Sequence, residues 1–304
     1  EGEMAKYAQM HVIDSVPVYT VTDYGDEVTM KEDPTILRST AGLYPDILSR
    51  PMHGNFVPVV NRQLHSAYFD FMGDDLLPGD YPTNFCLYNE NGERVSSDTV
   101  NIRVLPVSLP EQEFKYTNWF YADCLADYYN VKPWSRRHFK ICENFIKRAS
   151  ENGINMILMP VFTVPLDTHP SCERTTTQLV QVEKVGNDFA FDFSLCDKWI
   201  EMCERCNIKY YEISHLFTQW GAAHAPKIIV RENGRKKKMF GIGTDAAGAE
   251  YTHFLRSFLK EFTAYIDEKG LGERTYFHIS DEPSEWNLET YEKAQQTVSD
   301  LLAG

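Results

Sequence analysis

No stretch of this 304-residue chain approaches the ~20 consecutive apolar residues that a membrane-spanning helix needs, so no such span is expected. No G-x-G-x-x-G or phosphate-cradling loop follows an apolar run; the glycines of FGIGTDAAG precede a helical pattern but lack the spacing. H-E-x-x-H and H-x-H are missing, and so is G-x-S-x-G, which disfavours an α/β-hydrolase. Basic charge is scarce: 30 Lys and Arg stand against 44 Asp and Glu, for a net charge of -14. Neutralising phosphates takes clustered cations, so neither nucleic acid nor an anionic membrane is an expected partner. The one dense basic run, Arg235 to Lys238, lies at a turn and reads as a solvated face.

Paired cysteine is also in short supply. Seven is an odd number, and Cys86 and Cys124 sit in apolar contexts where a free thiol behaves as a small hydrophobe. A reducing compartment is favoured. The opening EGEMAKYAQM has neither a basic start nor an apolar core, so no signal peptide is visible and a cytoplasmic location is expected. A secreted or surface-attached location stays open if a leader precedes this sequence. Cys203 and Cys206 make one C-x-x-C on an amphipathic pattern, with no second pair to complete a metal site.

What is present is ordinary globular composition, 43% hydrophobic and 13% aromatic. Residues 1–112 read as β: VIDSVPVYTVT, LHSAYFDFM, NFCLYNENGERV and TVNIRVLPVSL are short runs separated by Gly, Pro and Asp. Asn91-Gly92 predicts a tight primed hairpin turn. A β-sandwich domain is expected there. After the linker SLPEQEFKYTN the pattern alternates short apolar runs with amphipathic helices, four times over. The runs are 118–126, 154–164, 208–217 and 274–283. Ser135 and Ser194 are the expected N-caps, Ser194 in a capping box with Asp197. A hairpin turning on Asn233-Gly234 interrupts the third unit. Such alternation implies parallel strands with right-handed crossovers. The expectation for 113–304 is therefore a catalytic TIM-type (β/α)8 barrel. About 190 residues are available against about 250 for a full barrel, so it reads as truncated after about four β-α units. A doubly wound sheet of four or five strands is the alternative.

Barrel chemistry sits at the C-terminal ends of strands. The strongest such end is HISDEPSEW. Alternation puts Tyr276, His278, Ser280 and Glu282 on one face, and Phe277 and Ile279 on the other. Glu282 then faces the axis, held extended by Pro283. Asp281 reaches the axis only if the strand end twists or bulges. Adjacent acids split their pKa values, favouring one neutral acid beside one carboxylate. The competing reading is a surface loop with a helix-capping acid. On the first run, Trp119, Tyr121 and Asp123 share a face, and Asp123 either binds a substrate hydroxyl or serves as an interior structural acid. His215 is either a donor to ligand or an interior histidine. Trp119, Trp134, Trp220 and Trp286 lie at or after strand ends, where indole faces can stack on sugar rings; core packing is the alternative for each. His215, His224, His278 and Asp281 show no ligand spacing, so no metal and no cofactor are expected.

The run GLGERTYFHISDEP, together with NWFYADCLADYY and FGIGT, resembles glycoside hydrolase family 123, which contains β-N-acetylgalactosaminidases. AGLYPDIL in the first region extends the resemblance. It implies a β-sandwich followed by a catalytic barrel, a glycan or glycoconjugate substrate, and catalysis by Asp281 and Glu282. The implied mechanism is substrate-assisted retention: the sugar's 2-acetamido oxygen attacks the anomeric carbon. Glu282 is then the acid and base, and Asp281 steadies the oxazolinium-like intermediate. Trp119, Asp123, His215, Trp220, His278 and Trp286 are the candidate substrate contacts. The family's barrel continues beyond the fourth unit. Two other readings stay open: a conventional two-carboxylate glycosidase with its nucleophile on a later strand, and a non-catalytic carbohydrate-binding protein. Assembly state is not legible.

Overall fold

The computed structural model describes residues 1–19, 40–51, 54–59, 61–73, 75–110, 112–166, 168 and 172–303. The end of the first predicted run, residues 20–22, lies outside the described residues. The chain divides into two compact units, Glu1–Pro110 and Glu111–Gly304.

In the first unit, β1 (Ala8–Val18) is the centre of a three-stranded antiparallel sheet, flanked by β2 (Gly42–Ser49) and β3 (Ala67–Phe71). β4 (Gly79–Tyr88) and β5 (Arg94–Val104) form a separate hairpin. Phe85 of β4 meets Phe69 and Phe71 of β3 edge-on, with centroids 4.9 and 6.3 Å apart, so aromatic contact links the two sheets. The hairpin turn departs from expectation. It spans 89–93, and only Gly92 takes positive φ, at 80°. The Asn89 carboxamide oxygen accepts the N–H groups of Asn91 and Glu93, which favours the wider turn over a two-residue one.

The second unit contains a parallel sheet. β6 (Thr117–Asn118) is followed by α1 (Ala122–Tyr128) and α2 (Arg136–Glu151), then β7 (Met156–Met159). The hairpin β8 (Gln181–Val185) and β9 (Asp188–Asp192) precedes α3 (Ser194–Arg205) and β10 (Tyr210–Ile213). A second hairpin, β11 (Ile228–Glu232) and β12 (Arg235–Phe240), precedes α4 (Ala249–Glu268), β13 (Thr275–Tyr276) and α5 (Leu288–Ala303). The parallel order is β13-β10-β7-β6, so spatial neighbours are sequence neighbours. The two hairpins join through β11 and β8 into a second sheet, β12-β11-β8-β9.

Local signals explain most boundaries. The Ser135 hydroxyl accepts the His138 N–H at 3.2 Å and starts α2, and Gly153 at φ 92° ends it. Asn233 and Gly234 take φ 51° and 77°, the primed turn expected between β11 and β12. The cap of α3 differs. Phe193 is the N-cap, and the Asp192 carboxylate accepts the Ser194 N–H at 2.8 Å. Asp197 is taken instead by Lys269 at 2.7 Å and the Tyr265 hydroxyl at 2.9 Å, both from the α4 end. The first predicted strand is mostly wrong too. Only Thr117–Asn118 pairs, because ADCLADY forms helix α1 and buries Ala122 and Ala126 one turn apart. The basic run is strand β12, where Lys237 and Lys238 pair with Glu232 and Glu173.

The parallel sheet has two unlike faces. Ile157, Met159, Tyr211, Ile213, Phe277 and Ile279 face the helices and join the main core. There α4 presents Tyr251, Phe254, Leu255, Phe258, Leu259 and Phe262 at helical spacing, all fully buried. The alternate residues, among them Thr117, Trp119, Glu212 and His278, occupy the other face. Leu158 on that face packs only a small cluster with Val164 and Leu166. Among the described residues, no helix is long and apolar enough to cross a membrane.

Candidate active site

Beyond the regular strands, the segments after β10 and β13 remain zipped together. Leu216 donates to the His278 carbonyl at 3.4 Å, Phe217 to Ile279 at 3.2 Å and Trp220 to Asp281 at 3.0 Å. The buried Ser280 hydroxyl donates to the Thr218 carbonyl at 2.7 Å. This pairing brings Gln219 and Trp220 to the two acids. The Gln219 Nε2 donates to Asp281 Oδ2 at 3.2 Å and to Glu282 Oε2 at 3.1 Å. The Trp220 indole N–H donates to the same Glu282 oxygen at 3.0 Å.

Both carboxylates therefore converge on one amide. The means differs from expectation. Glu282 takes φ 47°, in the left-handed region, despite the following Pro283. Regular pairing ends at Tyr276, so nothing holds 281–282 to strand alternation, and the turn swings Asp281 and Glu282 toward the same partner. Opposite it, Trp220, Gly221 and Ala222 also take positive φ, at 59°, 105° and 57°. Non-glycine residues held in the left-handed region, here Trp220 and Ala222, store roughly 1–3 kcal/mol each and persist where surroundings over-determine them. Here a Cβ on Gly221 would lie 2.4 Å from Asn287 Cβ. Asn287 itself accepts the Ser284 N–H at 2.7 Å, closing the 3-10 turn Glu285–Asn287.

On the open face of the parallel sheet sits a carboxylate that sequence reasoning missed. Glu212 of β10 is 6% exposed. It accepts Thr117 Oγ1 at 2.8 Å, Trp119 Nε1 at 3.0 Å and His278 Nδ1 at 2.6 Å. Burial pushes its pKa up, but these three hydrogen bonds outweigh burial and leave it below the ordinary value. The signal was available: an acid inside the apolar run IKYYEISHLF must be paired if buried. His215 completes the cluster, fully buried, with its ring 4.0 Å from that of His278 and 5.1 Å from that of Trp119. Glu212, His215 and His278 bring one potential ligand atom each within 4.8 Å of one another. Glu212 already holds three donors, His278 among them, while both ring nitrogens of His215 are buried without a hydrogen-bond partner.

Residues 119–304, more than half of the chain, match the family described as Glycoside hydrolase 123, catalytic domain. The chain belongs to glycoside hydrolase family 123. It is a glycoside hydrolase, and glycans are its substrates. No curated protein matches the chain.

Within this family 123 chain the remaining candidates divide. Trp220, bonded to Glu282, is 62% exposed, and Trp286, four residues after Glu282 in sequence, is 96% exposed. Trp119 and His278 are half-buried on the polar face. Trp134 packs on Trp199 and Phe139 in the helical core and donates to the Gln178 carbonyl. Asp123 is not a sugar ligand on a strand. It lies in α1, 4% exposed, with Arg174 Nε at 2.7 Å from Oδ2 and Nη2 at 3.0 Å from Oδ1. Both its oxygens are consumed by that ion pair. His215 is a fully buried ring, which favours the interior histidine over the ligand contact. His224 pairs through its backbone with Thr218 and Asp245, away from this cluster.

Two predictions follow from this geometry. Gly221→Ala should push the 219–222 loop off Asn287, lowering kcat/KM at least tenfold while costing about 1–3 kcal/mol of stability; paired kinetics and thermal melts check both. Burial, then the charge of His278, depresses the His215 pKa to about 3. The unfolded chain binds that proton near pH 6.5, so stability falls as pH drops from about 6.5 toward 3. Burial depresses His138 in the same sense. Melting His215→Gln from pH 7 to pH 5 should show a smaller loss than the parent chain.

Proposed function

We propose that this glycoside hydrolase removes terminal β-linked N-acetylgalactosamine by substrate-assisted retention. The observation that carries the reading is the pair of adjacent carboxylates sharing the Gln219 amide. In the proposed reaction the 2-acetamido oxygen attacks the anomeric carbon and forms a cyclic oxazolinium-like intermediate. Glu282 gives its proton to the departing oxygen and later takes one from water. The N–H groups of Gln219 and Trp220 on Oε2 stabilise the carboxylate that this first transfer leaves behind. Asp281 accepts the acetamido N–H, orients it and offsets the developing positive charge. Trp220 and Trp286 supply stacking faces for the sugar, with Trp119 and His278 completing the contacts.

Glu212 bears on the alternative. A conventional retaining enzyme needs a second carboxylate free to attack, about 5 Å from the acid. Glu212 is buried and holds three donors, which suits it poorly to that role. In the same reading, β6, β7, β10 and β13 are successive strands of a (β/α)8-type barrel wall whose axis side is the polar face. The sheets of the first unit are those of a β-sandwich.

Removing the acid from Glu282→Gln should lower turnover about 10²- to 10⁴-fold on a poor leaving group. An activated aryl leaving group should restore most of that loss, because it needs little protonation. Asp281→Asn should stay impaired on both, since its work is on the intermediate. Steady-state rates on matched aryl N-acetyl-β-galactosaminides decide; equal rescue of the two variants contradicts the assigned roles.

A further inference from the structure

We propose that Glu212 is a positioning residue of the glycosidase site, acting through His278 and Trp119. The inference rests on the reading that Asp281 and Glu282 perform the cleavage. Glu212 stands on β10, between β7 and β13, and its three donors come from both sides: Thr117 and Trp119 from the β6 end, His278 from the β13 end. It thus ties the outermost strands of the parallel sheet to one buried point.

The chemistry of that point is directional. A carboxylate only accepts, so the His278 Nδ1 facing Glu212 must carry the hydrogen. With that hydrogen on Nδ1, the neutral form of the ring would offer Nε2 as an acceptor, fit to receive a sugar hydroxyl. The Trp119 indole N–H is spent on Glu212, which fixes the orientation of its flat face. The His215 ring lies tilted against the His278 ring with centroids 4.0 Å apart and the Trp119 ring lies 5.8 Å from it, so Glu212, Trp119 and His215 together hold the ring. From His278 the chain reaches Asp281 in three residues, and Ser280 between them is anchored to Thr218. Misorienting His278 therefore disturbs both a substrate contact and the strand that carries the acids.

The test is a double-mutant cycle read as kcat/KM on whichever aryl β-glycoside the parent chain cleaves. Glu212→Gln should cost about ten- to hundredfold, the worth of a buried charge-assisted hydrogen bond. In a His278→Gln background the same change should cost at least about threefold less, because one of the two partners it positions is gone while Trp119 remains. Equal losses in both backgrounds would overturn the proposal in favour of a merely structural carboxylate. The second readout is the nitrogen spectrum of the His278 ring in the parent chain. A hydrogen on Nδ1 is expected, and a hydrogen on Nε2 alone overturns the proposal even if Glu212→Gln does not fold. Using any cleaved β-glycoside keeps this outcome separate from the choice of sugar, and the ring spectrum needs no turnover.

Discussion

Two carboxyl groups on adjacent residues must be turned to one side of the chain, and the candidate site depends on what brings Asp281 and Glu282 together. The answer is a single amide. Gln219 offers one nitrogen to both carboxylates, and Trp220 adds a second donor to Glu282. Those donors arrive because the segments after β10 and β13 stay paired past the regular sheet. The left-handed turn at Glu282 then brings the second acid to the same side as the first. Backbone strain at 220–222 and at 282 is opposed by the fit of Gly221 against Asn287, so local cost and local geometry belong to one device.

The larger fold supplies the platform. One face of the parallel sheet is apolar and packs against the helices, with α4 contributing six fully buried side chains. That rigid packing frees the other face to carry polar groups without loosening the sheet. Glu212 sits at the middle of that face and satisfies its own burial with three hydrogen bonds. Asp123 and Arg174 form a largely buried ion pair, which ties α1 to the segment around residue 174.

Much of this was legible in the sequence, and the reasons for success and failure are physical. The acids 281 and 282 stood out because an adjacent Asp-Glu pair at the end of an apolar run can split its pKa values into one neutral acid and one carboxylate. The parallel strands β7, β10 and β13 were visible as apolar runs between helical patterns, and Ser135 and Asn233-Gly234 marked the start of α2 and the β11–β12 turn through side-chain capping and positive φ. NWFYADCLA misled because its aromatics mimic a strand, whereas burial of Ala122 and Ala126 favours a helix. The β8–β9 hairpin escaped notice although its turn at Gly186 takes φ 64°. Gln219 carries no sequence signal at all, since its role exists only through contacts 62 and 63 residues away. The turn at Glu282 ran against the local preference set by Pro283, and tertiary pairing prevailed.

The central claim is that the substrate's own amide, rather than a protein carboxylate, attacks the anomeric carbon beside Asp281 and Glu282. Comparing turnover of an aryl N-acetyl-β-galactosaminide with that of the aryl β-galactoside bearing the same leaving group tests it most directly. Intramolecular attack predicts a preference for the acetamido sugar of about a thousandfold or more. Comparable rates on the two glycosides would contradict it.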